Sequence, residues 1–264
     1  MIPTNLFILG LGGLCSGILA GFLGIGGGMV MVTLLVALGY QPIQAVATSA
    51  LAITITATSA TLQNWRMGYI KPQRVLLLAL PALFVAQVGV YLAEQLSSTL
   101  LLLGFGLLML VNIYLFELRK GVIAKQKDAE NNGEKRQGAN PTIARIITGG
   151  TGGLLAGLFG VGGGVIMVPL QILLLGEPIK VAIQTSLGVI VVTSISAAFG
   201  HYLNGNVVFV AGLFLGFGGL IGAQISTRFL PKLSSSVVSF AFRSLLVILA
   251  IYTFWKAWQI SSGS

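Results

Sequence analysis

The chain has 264 residues, of which 55% are hydrophobic and only 8% are charged. Soluble proteins carry about 25% charged residues, so this composition excludes a water-soluble globular domain and indicates a protein whose main solvent is lipid. The net charge of +9 does not indicate nucleic-acid binding, because the basic residues stand in short loops between apolar runs, and the single Cys15 excludes an internal disulfide framework and a four-cysteine zinc site.

Eight apolar runs are long enough to be read as membrane-crossing helices, which need about 20 residues. In chain order they lie near residues 5–22, 44–63, 72–93, 99–117, 143–158, 180–200, 207–228 and 234–256. Two shorter runs, 29–39 and 165–175, follow clusters of glycine and span only about 17 Å at 1.5 Å per residue, so they are predicted to be half-helices. The sequence therefore predicts an all-α polytopic membrane protein.

The first glycine cluster, Gly21 to Gly28, separates the first apolar run from the first half-helix. A glycine inside a helix costs about 1 kcal/mol relative to alanine, so five glycines among eight residues argue against one continuous helix. A broken helix exposes backbone N–H groups, which a bilayer tolerates only inside the protein or in a wet cavity. Those groups carry partial positive charge and suit an anion. The alternative is that the glycines only allow helices to pack closely.

One water-exposed segment divides the chain. Charged residues, asparagine and glycine are concentrated between Glu117 and Arg145. This composition predicts a flexible linker over 118–142, which joins a first transmembrane repeat, 1–117, to a second, 143–264.

The two halves repeat each other at an offset of 136 or 137 residues. The recurring positions are glycines of the cluster, a Thr-Ser pair and an amide. They are Gly24, Gly26, Gly27 and Gly28 with Gly160, Gly162, Gly163 and Gly164; Thr48 and Ser49 with Thr185 and Ser186; and Gln87 with Gln224. All of these are candidate substrate-binding residues. Each half thus contains four long helices and one glycine-broken half-helix.

Loop charges favour an inverted repeat over a parallel one. Loop 64–74 has three basic residues and its counterpart 201–211 has none, whereas loop 93–98 has none and its counterpart 228–235 has two. Positive charge marks the cytoplasmic side, so matched loops with opposite bias lie on opposite sides. This places the linker in the cytoplasm and both termini outside. The alternative is eight plain crossings with a parallel repeat and cytoplasmic termini.

Polar side chains within the apolar runs have both functional and structural explanations. The four hydroxyls of the Thr-Ser pairs are able to donate to an oxyanion without the cost of burying a charge, or they cap and back-bond their helices. The amides Gln87 and Gln224 contact solute or bond between helices. Arg243, inside the last apolar run, is able to pair with an anion, or it reaches the interface or helix-end carbonyls. His201 suits proton coupling, or it is a plain interfacial residue.

The duplicated glycine block, the Thr-Ser pairs and the Gly205-Asn206 turn after His201 resemble the TauE/SafE sulfite exporter family over residues 5–257. The resemblance implies a multi-pass inner-membrane transporter of sulfite, sulfonates or related organosulfur anions. The first half departs from the second, with Asn64 at the position that matches His201. We expect a secondary transporter that works by alternating access, and an anion channel or a non-transporting membrane subunit is the alternative. Its expected partners are a small anion and the bilayer, not nucleic acid, with no enzyme activity, metal or cofactor; homo-oligomers are left open.

Overall fold

The computed structural model describes residues 3–131, 140–229 and 235–262, and within them the side chains of 3–5, 116–131, 179, 235–243, 245 and 246 are not described. This part of the chain contains ten helices and no strand. They are α1 Pro3–Leu23, α2 Gly28–Ala37, α3 Pro42–Arg66, α4 Pro72–Gln95, α5 Ser98–Asn131, α6 Pro141–Phe159, α7 Gly164–Leu175, α8 Ile179–Leu203, α9 Phe209–Phe229 and α10 Ser235–Ser262. Proline begins several of them, at the position where its missing N–H has no helical partner to lose.

The helices have the lengths that hydropathy predicts. Seven spans in the described residues are long and apolar enough to cross a membrane, and the shorter apolar helices α2 and α7 are the predicted half-helices. The eighth predicted crossing, 234–256, lies in α10 and is not among these seven. The all-α polytopic fold is confirmed. Helix α5 differs from the prediction, because it continues to Asn131, through the first part of the predicted linker. Hydropathy detects only its apolar part, Ser98–Leu115, whereas alanine, lysine and glutamine extend helices in water as well.

The two halves pack against each other in a pseudo-symmetric way. Helix α1 packs on α9, and α6, its counterpart in the second half, packs on α4. Glycines let the backbones touch: a Cβ on Gly17 would collide with the backbone of Gly219, and a Cβ on Gly153 would collide with that of Ala82. The two contacts are equivalent by the repeat: Gly153 is the counterpart of Gly17, and Ala82 is the counterpart of Gly219. The core is therefore built from helices of opposite halves.

Two hydrogen-bonded contacts, which we call the amide clamps, join the halves in the same exchanged manner. Gln87 Nε2 on α4 donates to the backbone O and Oγ of Ser196 on α8, both at 2.7 Å. Gln224 Nε2 on α9 donates to the backbone O and Oγ of Ser59 on α3, at 3.1 and 3.0 Å. Both amide nitrogens are thus used between helices, as in the structural explanation of these residues.

Helix α2 turns back along α1. Ser16 Oγ donates to the carbonyl of Gly27 at 2.6 Å, and a Cβ on Gly12 would meet the side chain of Leu34. Residue 27 thus contacts residue 16 of α1, and residue 34 contacts the earlier residue 12, so α2 runs antiparallel to α1. In the second half, a Cβ on Gly163 would likewise meet the backbone of α6.

Side-chain contacts sort the loops onto two ends of the bundle. At the end that we call the linker end, Arg74 at the start of α4 lies 3.4 Å from Glu177, just before α8. At the opposite end, which we call the N-terminal end, Asn206 Nδ2 donates to Oε1 of Glu94 near the end of α4 at 2.7 Å. Also at the N-terminal end, a cavity of 380 Å³ brings the loop between α2 and α3 together with the start of α5 and the last turns of α10.

Candidate functional site

The predicted breaks are present in both halves, and we call them elbows. The first elbow separates α1 from α2 and the second separates α6 from α7. Three glycines of each elbow have positive φ, between 63° and 80°, which other residues rarely adopt. They are Gly24, Gly26 and Gly27 in the first elbow and Gly160, Gly162 and Gly163 in the second.

The two elbows touch each other. A Cβ on Gly28, the first residue of α2, would lie 2.6 Å from the carbonyl oxygen of Gly160. A Cβ on Gly164, the first residue of α7, would collide with the carbonyl of Gly24. Each half-helix thus begins against the elbow of the other half. The two glycine clusters of the repeat therefore lie together in the structure.

The elbows meet at mid-height of the bundle. Gly26 and Gly162 both face the side chains of Ile53 and Ile190, with the nearest approaches of an added Cβ at 2.9 to 3.3 Å. Ile53 and Ile190 lie in the middle of α3 and α8, and both are fully buried. Two apolar side chains and two glycine backbones therefore form the centre of the protein.

The half-helix N-termini carry unpaired N–H groups. In α2 the carbonyl of Gly27 accepts from the third and fourth N–H groups, and in α7 that of Gly163 does the same. Within the described residues, no oxygen accepts a hydrogen bond from the first two N–H groups of either helix, and these groups are buried. Buried backbone donors almost always have partners, so four unpaired ones in one place form a site that suits an acceptor.

The first Thr-Ser pair contacts the second elbow. Ser49 Oγ lies 2.8 Å from the carbonyl oxygen of Gly160 and 2.8 Å from that of Val46. Thr48 Oγ1 accepts from the backbone N–H of Val208 at 3.0 Å. Ser49 thus holds an elbow residue, whereas Thr48 attaches the loop after α8 to α3.

The second Thr-Ser pair is used differently because of a residue that sequence reasoning missed. Gln171 on α7 donates from Nε2 to Ser186 Oγ at 2.8 Å, and Thr185 is buried beside it in the chain. Oε1 of Gln171 is buried and has no hydrogen-bond partner among the described residues. The signal was present in the sequence, since Gln171 is the one polar residue of run 165–175 and Leu35 stands at the matching position.

The two ionisable candidates differ in what the structure describes. His201 is fully buried near the end of α8, so it is not a plain interfacial residue. Its Nε2 lies 2.9 Å from the carbonyl oxygen of Gly157, in the last turn of α6 before the second elbow. Arg243 belongs to α10, but its side chain lies outside the described residues.

Comparison with known proteins agrees with this architecture. The family model described as sulfite exporter TauE/SafE matches residues 9–253. The chain is 27% identical to the probable membrane transporter protein YunE of Bacillus subtilis, covering 90% of this chain and 93% of that protein. It is 28% identical to a probable membrane transporter protein of Xylella fastidiosa strain Temecula1, covering 97% of each. No solved structure matches this chain at a comparable level of significance.

Proposed function

Because the chain belongs to the TauE/SafE sulfite exporter family, we propose that it is a secondary transporter that moves a small anion across the plasma membrane. The proposed solute class is sulfite, a sulfonate or a related organosulfur anion, and the proposed mechanism is alternating access around the two elbows. The observation that carries this proposal is the meeting of two buried helix N-termini, each with unpaired N–H groups.

The chemistry of the elbows suits an oxyanion. Backbone N–H groups at a helix N-terminus carry partial positive charge, equivalent to roughly half an elementary charge per helix. Each half-helix begins against the elbow of the other half, so an anion bound between the elbows would receive donors from both halves. The donors are neutral groups, so the empty site does not hold a full unpaired charge in a region of low dielectric. Weak attraction of this kind fits a carrier, which has to release its solute.

Contacts at the two ends support an inverted repeat. Arg74 and Glu177 are in contact, and so are Glu94 and Asn206. Eight plain crossings would put the two members of each pair on opposite sides of the membrane. If α2 and α7 each return toward the side from which α1 and α6 start, each half makes an odd number of passes, and the two members of each pair fall on the same side of the membrane. Alternating access by rocking of one repeat against the other is found in transporters built from such repeats.

Uptake into proteoliposomes tests the proposal directly. We expect saturable uptake of one or more members of a panel of sulfite, thiosulfate, taurine and small carboxylates, and acceleration by unlabelled solute on the opposite side. Saturation with counterflow distinguishes a carrier from a channel, whose flux rises almost in proportion to the gradient. Purified protein that gives no flux of any panel member contradicts the proposal.

A matched pair of variants assigns the site. Gly28→Ala places a methyl group against the second elbow, whereas Gly10→Ala makes the same chemical change in α1, where nothing lies within 4 Å. We expect uptake to be lost in Gly28→Ala and retained in Gly10→Ala, at equal amounts of folded protein. Equal uptake by both variants would show that the elbows are packing elements only.

A further inference from the structure

His201 is in contact with a carboxylate at the N-terminal end of the bundle. Its Nδ1 lies 3.5 Å from Oε1 of Glu94 on α4, while its Nε2 faces the carbonyl of Gly157 at 2.9 Å. The same Oε1 of Glu94 accepts from Asn206 Nδ2. The imidazole therefore lies between α4 and α6, fully buried, and it is the only histidine in the chain.

Neutral histidine and an ionised carboxylate together have one proton too few for this arrangement. A carbonyl oxygen only accepts, so Nε2 has to carry its hydrogen toward Gly157. A neutral imidazole has one N–H, which would leave a lone pair on Nδ1 facing a carboxylate oxygen. Nδ1 has no hydrogen-bond partner among the described residues. A second imidazole proton replaces this repulsion between two acceptors by an ion pair.

We propose that His201 and Glu94 form a proton-binding site, in which the bound proton resides on Nδ1 and holds α4, α6 and α8 together at the N-terminal end. The proton belongs on the histidine because the N–H of Asn206 donates to Glu94, and hydrogen bonding to a carboxylate favours its ionised form. Loss of the proton removes the attraction between α4 and α8 at this point. The link to solute movement rests on the proposed transport function, whereas the proton site itself does not.

No other charged group of the described chain competes for this site. Helix α8 packs against α3, α4, α6 and α7. Their remaining charged residues, Arg66, Arg74 and Arg145, lie toward the linker end, and α7 has none. Glu94 is the one carboxylate in contact with His201 among the described residues.

The site exists in one half only. Under the repeat offset of 137, the counterpart of His201 is Asn64 and that of Glu94 is Pro231. Neither takes up a proton. If the two ends of the protein open alternately, proton binding therefore stabilises closure at the N-terminal end and has no equivalent at the linker end. Proton uptake and release would then be tied to one step of the cycle.

The single histidine makes this testable by NMR without any transport assay. Full-length protein with ¹⁵N-labelled histidine in nanodiscs gives signals from His201 alone once any affinity tag has been removed. We expect Nε2 to be protonated between pH 5 and 8, and a measurable fraction of Nδ1 to be protonated at pH 6. In Glu94→Gln, the ratio of doubly to singly protonated imidazole at pH 6 should fall about tenfold, because an adjacent opposite charge commonly shifts a titration by a unit or more.

Glu177→Gln is the matched control, since it removes a carboxylate at the linker end and should leave the His201 signals unchanged. An equal ratio in wild type and Glu94→Gln overturns the proposal. So does a wild-type spectrum of singly protonated imidazole that does not change from pH 5 to 8, and this result requires no variant to fold. If NMR supports the site but liposomes show no flux, the proton site stands and the transport function fails.

Discussion

Replacing elbow glycines by alanine separates backbone strain from steric collision. Gly27 and Gly163 have φ of 78° and 80°. A Cβ at Gly163 would collide with the backbone of Gly152, whereas at Gly27 the closest atom is the hydroxyl of Ser16. Both variants therefore combine an unfavourable backbone conformation with overpacking. At Gly27 the closest obstacle is a side chain, which rotates away only at the cost of its hydrogen bond to the Gly27 carbonyl, while the backbone oxygen of Ser16 stays 2.8 Å from the added Cβ.

The magnitudes follow from two contributions. A left-handed backbone costs an alanine about 1–2 kcal/mol relative to glycine, and overpacking of a filled interior costs about 1–3 kcal/mol more. Gly68→Ala and Gly205→Ala are matched controls, because these residues have φ of 76° and 73° with nothing within 4 Å of an added Cβ. We expect losses of about 1–2 kcal/mol in the controls and about 2–5 kcal/mol at the elbows, larger for Gly163→Ala than for Gly27→Ala.

Equilibrium unfolding in mixed detergent micelles, followed by tryptophan fluorescence and circular dichroism, measures these differences. Uptake measured on the folded fraction should be lost in both elbow variants and kept in both controls. Elbow variants that are no less stable than the controls would refute the geometry of the elbows. Elbow variants that are destabilised as expected but transport normally would refute their role as the solute site.

Three further predictions concern other parts of the chain. A cysteine introduced within 118–142 on a Cys15→Ser background should react with impermeant reagents from the cytoplasmic side only; reaction from the outside contradicts the inverted topology. Arg243→Lys should lose most uptake while the protein still folds, because a point charge does not replace a planar fork; unchanged kinetics return Arg243 to a structural role. Burial raises the pKa of Glu177, and the positive charges of Arg74 and Arg145 offset only part of this rise. A carboxyl whose pKa is raised in the folded state contributes stability at low pH. This contribution is lost as the pH rises from the ordinary pKa of 4.5 through the higher pKa of the folded state. In Glu177→Gln, Tm should therefore fall less steeply with rising pH over this range than in the wild type, and an equal slope in both proteins contradicts this.

The elbows were predictable from sequence because glycine clusters have few physical explanations in an apolar chain. Helix breaks follow from the propensity of Gly26 and its neighbours, and the repeat predicts that two breaks share one place. The polar contacts were less predictable. Nothing in the local sequence distinguishes Ser49, which holds the second elbow, from Ser186, which accepts from Gln171. That difference arises from Gln171 on α7, whose counterpart in the first half is Leu35.

Burial of His201 was likewise beyond local pattern. Its position near a helix end suggests exposure at the interface, and its actual environment depends on Glu94, 107 positions away in the sequence. The carboxylate stands near the end of a separate apolar helix and gives no local sign of a partner. A contact between residues so far apart in the sequence becomes predictable only when helix packing is known, because a helical pattern predicts which face is apolar but not which helix covers it.

The two helix interfaces that contain the amide clamps differ in the charged contacts at their ends, and this difference affects how each interface responds to pH. Both α4–α8 and α3–α9 have a clamp, formed by Gln87 and Gln224 respectively. Among the described residues, α4 and the segment that contains α8 also have a charged contact at each end, Arg74 with Glu177 at the linker end and Glu94 with His201 at the N-terminal end. Of these two end contacts, the one at the N-terminal end contains the proposed proton-binding site. An interface held by uncharged groups responds little to pH, whereas one with a titratable contact at one end is released from that end first. If His201 and Glu94 bind the proposed proton, the sequence asymmetry between Asn64 and His201 thus gives the two ends of the protein different responses to pH.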